Sequence, residues 1–495
     1  MDASHNLYAI LGVPPDATPD DIREAYRLMA RRFHPDANPN EGAALQFRDI
    51  VAAYDILSNP GERLRYDEER RALPSDTAPF SVRVMPSKRV LSALAEPQVL
   101  YLLLEVLPPR QAAALKQRSA PLNLTLVLDR STSMRGARLD KVKIAAHSII
   151  EQLSSQDVIS IVTFSDRAEV LIPATTVTDK TSLCAAVSIM SAGGGTEIYH
   201  GLAAGVAECR RHLAPRMVNH VILLTDGRTF GDEEQCLELA REAAKEGIGI
   251  SAMGIGEEWN DQFLDALVAA TGGTSAYIQS PKAVLQFLEE RVRSLGNAFA
   301  ERLQLTVAPD ADVIFESAFR LHPTPQPIDI SPQPIQLGTL EKNRPVTVLI
   351  QLQMPPTRKT GFRSVARLDV AGDVLLTDRQ QHKVISDISV EIARNPQPEE
   401  PPLAILDALG KLTLYRMQQK AEQALSSGRV QEATRQLENL ATRLLAAGHE
   451  ELAQKAIIEA RRVSHTHALS QEGRKALKFH TRQLLALPMP ESNER

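Results

Sequence analysis

The pattern that most limits the fold lies between about residues 120 and 298. Short apolar runs, such as Leu124–Leu128, Val158–Phe164 and Val221–Leu224, alternate there with amphipathic segments long enough to form helices. Such alternation is typical of a parallel sheet with helices on both faces. The pattern predicts a doubly wound α/β domain, which we place at residues 119–298.

The flanking segments follow a different period. Apolar side chains alternate with other residues in 300–393, for example along Val346–Met354, and Phe80–Leu107 is also rich in strand-forming residues. A period of two indicates strands with one buried face. Because domain termini often lie close together, one domain can be inserted into another. We predict that residues 80–118 and 300–393 form one discontinuous antiparallel β-sandwich interrupted by the α/β domain.

Both ends of the chain have helical patterns. Segments rich in proline and in small or acidic residues, 72–79 and 394–402, separate these ends from the strand-rich regions and indicate linkers. The pattern predicts an all-α domain at 1–72 and a helical tail domain, a small bundle, at 403–490. A repeated motif in the tail contains Gly428 and Gly448, and a glycine at such positions ends one helix before the next begins.

Composition excludes several classes of protein. The chain has 495 residues and a formal charge of -5, with no long basic block, so nucleic acid is not an expected partner. Its three cysteines are scattered, which does not favour a disulfide framework or a zinc ribbon. No apolar run reaches the roughly 18 residues that a membrane span needs. The polar residues at the N-terminus do not resemble a signal peptide, so we expect a cytoplasmic protein without a membrane partner.

The first candidate site is a basic helix followed by a short loop. Thr18-Pro19-Asp20-Asp21 is a strong helix start, because Thr caps, Pro suits the first turn and acids favour the positive dipole end. One face of this helix is apolar. Another carries basic side chains, and the loop His34-Pro35-Asp36 follows. The basic residues are Arg23, Arg27, Arg31 and the neighbouring Arg32. A basic stripe alone usually indicates only a solvated face.

Residues 5–70 resemble a DnaJ-type J domain along their whole length. The matching motifs are Leu7-Tyr8, Leu11-Gly12-Val13, Ala25-Tyr26-Arg27, His34-Pro35-Asp36, Phe47-Arg48-Asp49-Ile50, Ala53-Tyr54 and Arg65-Tyr66-Asp67. The resemblance implies that the basic helix docks on an acidic surface of a DnaK-type chaperone. It also implies that His34, Pro35 and Asp36 trigger ATP hydrolysis by that partner. The zinc-binding repeats of full-length DnaJ are missing from this sequence, so any client must be bound elsewhere.

The second candidate site combines three separated loops of the α/β domain. Asp129, Ser131 and Ser133 follow one predicted strand, Thr196 follows a glycine run, and Asp226 follows another strand. Loops at the carboxyl ends of parallel strands meet at one crevice, so these residues should converge. Two carboxylates and three hydroxyls form an all-oxygen set. Such a set suits a hard divalent cation, magnesium above all, with manganese or calcium as alternatives.

These loops resemble the metal-ion-dependent adhesion site of the von Willebrand factor type A domain. The match covers about residues 120–298 and includes the sequence Ser133-Met134-Arg135-Gly136. The resemblance implies that the serines and the threonine coordinate the cation directly, and the aspartates directly or through water. Glu197 departs from the family, where Asp is frequent after the threonine, so the preferred ligand stays open.

Together the two resemblances predict a co-chaperone adaptor that is not an enzyme. Its J domain would recruit a DnaK-type chaperone to an unidentified partner or client protein held by the type A domain. An alternative is an adaptor of a ring-forming ATPase in metal insertion or complex remodelling, with the J domain accessory. A metal-dependent hydrolase is disfavoured because the motifs offer no general base.

Overall fold

The computed structural model describes residues 7–11, 13, 17–36, 41–72, 80–109, 120–214, 216–229, 231–278, 281–375 and 381–485. The chain divides into two compact units. The first comprises Met1–Lys116, Arg302–Pro323 and Pro327–Leu406, and the second comprises Gln117–Glu301, Thr324–Gln326 and Asp407–Arg495. Parts of every predicted domain lie outside the described residues, the longer ones being linker positions 73–79, sandwich positions 110–118 and 376–380, and tail positions 486–490.

The N-terminal part of the first unit is helical. Its helices are α1 (Leu7–Leu11), α2 (Pro19–Phe33), α3 (Glu41–Ser58) and α4 (Pro60–Ala72). A capping box begins α2, because the Asp21 amide donates to the Thr18 hydroxyl and the Thr18 amide donates to the Asp21 carboxylate. Buried apolar side chains from all four helices form one core: Leu7, Tyr8, Leu11, Ile22, Phe33, Ile50, Ala53, Leu57 and Tyr66. The predicted N-terminal helical domain is therefore confirmed.

Two five-stranded sheets take strands from both sides of the α/β region. Their strands are β1 (Ser81–Pro86), β2 (Val90–Ser92), β3 (Gln98–Leu107), β10 (Ala298–Pro309), β11 (Ile314–His322), β12 (Gln326–Ile328), β13 (Ile335–Glu341), β14 (Val346–Met354), β15 (Gly361–Val374) and β16 (Gln381–Ala393). One sheet has the order β1-β3-β14-β11-β12, and the other has the order β13-β10-β15-β16-β2. The antiparallel pairing of β3 with β14 joins the segments before and after the insertion, whereas β2 pairs with β16 in parallel.

The second unit contains a six-stranded sheet. Its strands are β4 (Leu122–Asp129), β5 (Val158–Phe164), β6 (Ala168–Thr176), β7 (Val218–Thr225), β8 (Ile248–Ile255) and β9 (Ser275–Ile278). The order is β6-β5-β4-β7-β8-β9, parallel throughout except for the edge strand β6. Strands β4, β5 and β7 are buried along their whole length, as expected for a sheet covered on both faces. Because β4 pairs with β5 on one side and β7 on the other, its carboxyl end is a topological switch point.

Helices complete the second unit. Those of the α/β region are α5 (Ala137–Gln152), α6 (Lys180–Ser188), α7 (Ile198–Arg211), α8 (Glu233–Glu246), α9 (Asp261–Ala269) and α10 (Pro281–Gly296). The tail adds α11 (Leu403–Ser426), α12 (Val430–Ala446), α13 (Glu450–Thr466) and α14 (Gln471–Gln483). Gly428 and Gly448 follow α11 and α12 with φ of 73° and 80°, the left-handed conformation that ends a helix.

The predicted fold class is confirmed: a helical N-terminal domain, a doubly wound α/β domain inserted in a β-sandwich region of two sheets, and a helical tail. The β2–β16 pair is parallel, where antiparallel pairing was predicted. No helix in the described ranges is both long enough and apolar enough to cross a membrane.

Candidate functional site

The loop after β4 forms the floor of the site. Asp129 is the last residue of β4, and a short 3-10 turn, Thr132–Met134, leads from it towards α5. The Met134 side chain is fully buried, which anchors this turn to the core. Gly136, with φ of 82°, allows the chain to enter α5 in a conformation that other residues rarely adopt. Met134 and Gly136 together determine the path of the loop between β4 and α5.

Both carboxylate oxygens of Asp129 accept hydrogen bonds. The Ser131 amide donates to Oδ1 over 2.8 Å, and the Thr225 hydroxyl donates to Oδ2 over 2.7 Å. Burial raises the pKa of Asp129, and the nearby charge of Asp226 acts in the same direction, while the bonds from Ser131 and Thr225 oppose the rise. A cation beside this carboxylate would favour its ionised form.

The remaining donors of the first loop point towards the end of β7. The hydroxyl oxygens of Ser131 and Ser133 lie 3.0 Å apart. The Ser133 hydroxyl in turn donates to Oδ1 of Asp226 over 2.6 Å. Asp226 has a fully buried side chain. These contacts confirm that the loops after β4 and β7 meet at the switch point.

The glycine run brings Thr196 to the same place. The Gly193 amide donates to the Arg130 carbonyl and the Thr132 amide donates to the Gly194 carbonyl, so this run lies along the first loop. A Cβ added to Gly227 would come within 2.9 Å of the Thr196 hydroxyl oxygen, which places Thr196 directly beside the residue after Asp226. All five predicted residues thus lie on three loops that converge.

The donor set fits a hard divalent cation. Asp129 and Asp226 provide carboxylates, and the three hydroxyls are neutral oxygen ligands of the kind that magnesium and calcium prefer. Among the described residues there is no group of three or more His, Cys, Asp or Glu placed to hold a metal. The crevice differs from such a group, because hydroxyls provide three of its five oxygen ligands. The Glu197 carboxylate lies 3.1 Å from His200 and is about half exposed.

Two residues of the site are not part of the sequence motif. The Asp166 carboxylate accepts a hydrogen bond from the Gly195 amide over 2.6 Å and so shapes the glycine run. Arg138, in the first turn of α5, donates to Oδ2 of Asp226 over 2.6 Å. A positive side chain in the first turn of a helix is unfavourable beside the helix dipole. The sequence position of Arg138 could therefore have indicated that this residue pairs with an acidic group elsewhere in the fold.

The predicted chaperone-binding face is open to solvent. Arg27 and Arg31 of α2 are exposed, and Arg23 is exposed but lies 2.7 Å from Asp20. The side chain of Arg32 lies outside the described residues. In the loop, His34, Pro35 and Asp36 are exposed. The Asp36 amide donates to Nδ1 of His34 over 3.2 Å, and the imidazole meets the Phe47 ring edge-on, so α3 supports the loop.

Three family models match separate parts of the chain. Residues 6–67 match the DnaJ domain, and residues 123–291 match the von Willebrand factor type A domain. Residues 403–487 match the Sll0103-like C-terminal alpha-helical domain.

Similar proteins support the same division. An uncharacterized protein, sll0103, from Synechocystis is 29% identical over 335 residues, which are 66% of this chain and 79% of that protein. The chaperone protein DnaJ of Caldicellulosiruptor saccharolyticus is 46% identical over 69 residues, 14% of this chain. The chain spans only 18% of the length of that relative.

Two solved structures share the fold over most of the chain. A von Willebrand factor type A protein from Catenulispora acidiphila has a TM-score of 0.65 at 16% identity, covering 82% of this chain and 97% of that one. The ArnB paralog VWA2 from Sulfolobus acidocaldarius has a TM-score of 0.52 at 16% identity, covering 82% of this chain and 98% of that one.

Fold and comparisons together show a multidomain chain that contains a DnaJ domain and a von Willebrand factor type A domain. In this particular chain the type A domain is joined to an N-terminal DnaJ domain and to a C-terminal helical domain of the Sll0103-like type.

Proposed function

We propose that this protein is a cytoplasmic J-domain co-chaperone that works as an adaptor. Its J domain would stimulate ATP hydrolysis by a DnaK-type chaperone, and its type A domain would hold a partner or client through a divalent cation. The observation that carries the proposal is the presence, in one chain, of an exposed His34-Pro35-Asp36 loop and a convergent all-oxygen crevice. A DnaJ domain and a type A domain are adaptor and regulatory modules, so we assign no catalytic residue.

The proposed chaperone contact is mainly electrostatic. Arg27 and Arg31 lie one helical turn apart on α2 with their side chains in solvent, where they form a positive surface. Exposed charges of this kind increase the rate of association with an acidic surface more than they increase affinity. The His34-Pro35-Asp36 loop follows directly at the end of α2, so docking of the basic face would bring this loop to the chaperone.

The proposed partner contact uses the crevice at the carboxyl end of the sheet. Asp129 and Asp226 would hold the cation together with the hydroxyls of Ser131, Ser133 and Thr196. These ligands supply two formal negative charges, and a bound cation would provide a positive centre with room for one outside carboxylate. Magnesium is the ion we favour. Linking this crevice to the J domain raises the effective concentration of the chaperone at the client.

The first prediction tests the J domain in the full chain. His34→Gln should reduce stimulation of the DnaK-type ATPase to the basal rate, because the trigger loop loses its imidazole while the core of the helical domain is untouched. Steady-state ATP hydrolysis measures this effect. His465→Gln, which changes an exposed histidine of the tail, is the matched control and should stimulate like wild type. Absence of stimulation by folded wild-type protein with its cognate chaperone would refute the co-chaperone function.

The second prediction tests the cation. Proteins retained from a lysate by the immobilised chain in magnesium should be lost in EDTA and should return when magnesium is restored. Ser131→Ala combined with Asp226→Ala should remove the same proteins, because the variant lacks one carboxylate and one hydroxyl ligand. ATPase stimulation should stay unchanged in this variant.

A partner retained at equal affinity in EDTA would show that the cation takes no part in capture. Magnesium-dependent recovery of a ring-forming ATPase would instead favour the alternative adaptor role.

A further inference from the structure

Arg138 contacts the proposed metal ligands directly. Its Nη1 donates to Oδ2 of Asp226 over 2.6 Å and lies 3.3 Å from the Ser133 carbonyl. Its Nη2 runs along Gly256, where a Cβ would approach it to 3.1 Å. Gly256 has φ of 71°, so the backbone there is also suited to glycine. The guanidinium therefore lies in a groove that the neighbouring loop leaves open for it.

The helix that carries Arg138 does not account for this placement. The first turn of α5 is the positive end of the helix dipole, and a positive side chain there opposes that dipole. By contrast, the Asp226 side chain is fully buried, and a buried carboxylate needs a compensating charge or donors. Arg138 supplies both. Its own side chain is 40% exposed, so part of the guanidinium faces solvent at the mouth of the crevice.

We propose that Arg138 is a specificity-determining residue of the crevice: it competes with the divalent cation for Asp226 and, once the cation is bound, adds a second positive group for an incoming carboxylate. This inference rests on the proposed function and deepens it.

Charge balance supports both halves of the inference. Ionised Asp129 and Asp226 carry two negative charges, which a divalent cation alone would cancel. With Arg138 present, the loaded crevice keeps one net positive charge. The guanidinium thus weakens cation binding and strengthens binding of an acidic partner group. The contact between Arg138 and that group would favour a carboxylate over a neutral ligand.

The test measures cation and carboxylate binding separately in the full chain. Isothermal titration with Mn²⁺ should give at least about tenfold tighter binding for Arg138→Met than for wild type, because the guanidinium no longer competes for Asp226 or repels the cation, and the interaction of two charges this close is sizeable even when water screens it. Arg138→Lys should stay close to wild type. The control is Arg135→Met, which removes an exposed arginine on the other side of Gly136 and should bind Mn²⁺ like wild type.

Glutarate titrated into Mn²⁺-saturated protein should bind several-fold more weakly to Arg138→Met than to wild type. Arg138→Met with a wild-type circular dichroism spectrum and equal or weaker Mn²⁺ binding would contradict the proposal that Arg138 competes with the cation for Asp226. Arg138 would then only hold the Asp226 side chain in position. Unchanged glutarate affinity would overturn the carboxylate contact. If wild-type protein binds no Mn²⁺, the metal-dependent part of the proposed function fails together with this inference. If wild type and Arg138→Met bind Mn²⁺ with equal affinity, only this inference fails.

Discussion

His220 is a titratable residue placed where a charge is costly. It lies in β7 and is almost completely buried, with Nε2 2.9 Å from the Ser251 hydroxyl oxygen. The imidazole packs over Gly249, where a Cβ would come within 2.5 Å of Nδ1. Burial lowers the pKa of His220 well below its usual value, and the charge of Arg291 acts in the same direction. The folded type A domain therefore keeps this imidazole neutral.

This burial predicts an acid-sensitive type A domain. The unfolded chain binds a proton at His220 near pH 6.5 while the folded chain does not, so stability is fully present above that pH and decreases as pH falls. The loss approaches about 1.4 kcal/mol per pH unit. Trp259, the single tryptophan and fully buried in this domain, reports its unfolding by fluorescence.

Between pH 7.5 and 5.5, the midpoint of urea unfolding should fall more in wild type than in His220→Gln, whose side chain does not titrate. Carboxylates titrate alike in both proteins and cancel from the comparison. An equal fall of the unfolding midpoint in both proteins would show that protonation of His220 does not destabilise the folded domain.

The sequence pattern could predict which side chains meet in the crevice but not which hydrogen-bond and ion-pair partners each of them has. The convergence of Asp129, Thr196 and Asp226 follows from strand order, because only loops at one edge of a parallel sheet can meet. The bond from Thr225 to Asp129 and the ion pair of Arg138 depend on side-chain directions. No spacing in the sequence encodes those directions.

At the scale of elements, helix α14 shows where periodicity fails. Its sequence is rich in charged residues and resembles a solvated tail helix, yet Lys475 is fully buried. Its Nζ donates to the carbonyls of Glu257 and Trp259 over 2.5 and 2.6 Å, and it lies 4.2 Å from the Trp259 ring centroid. Burial lowers the pKa of Lys475 to about 8. The hydrogen-bond acceptors of Lys475 are carbonyls of a loop that is distant in sequence. The sequence of α14 alone therefore could not predict that this lysine is buried.

Carboxylates on α9 complete the docking of this helix. Arg482 donates to Asp265, and Lys478 pairs with both Asp265 and Asp261. Although burial raises the pKa of Asp265, the charges of Arg482 and Lys478 hold it below its usual value. The sequence predicted a tail bundle but not its attachment to the type A domain, because that attachment depends on charge pairs more than two hundred residues apart in sequence.

At the scale of the whole molecule, the J domain is fixed to a sheet of the first unit. Helices α2 and α3 lie against β15. Arg367 donates to Asp49 of α3 over 2.9 Å while it also holds Asp387 of the neighbouring strand. Beside it, the buried Gln46 amide lies 3.4 Å from the Ser364 hydroxyl. The printed side-chain bonds come from α3, and Arg27 and Arg31 of α2 are exposed in this arrangement.

The last prediction concerns this attachment. Asp49→Lys should release the J domain from β15, because it replaces an ion pair with repulsion between the introduced ammonium group and the Arg367 guanidinium. Hydrogen bonds to charged groups contribute about 1.5–3 kcal/mol, so amide hydrogen exchange in α3 and β15 should accelerate about tenfold or more. Asp55→Lys makes the same charge change at an exposed position of α3 and should leave exchange in β15 unchanged.

Stimulation of the chaperone ATPase at saturation should match wild type in both variants, since the trigger loop is exposed in the docked state. Unaltered exchange in Asp49→Lys would show that apolar packing alone holds the J domain, and a higher maximal stimulation would show that docking restrains the trigger.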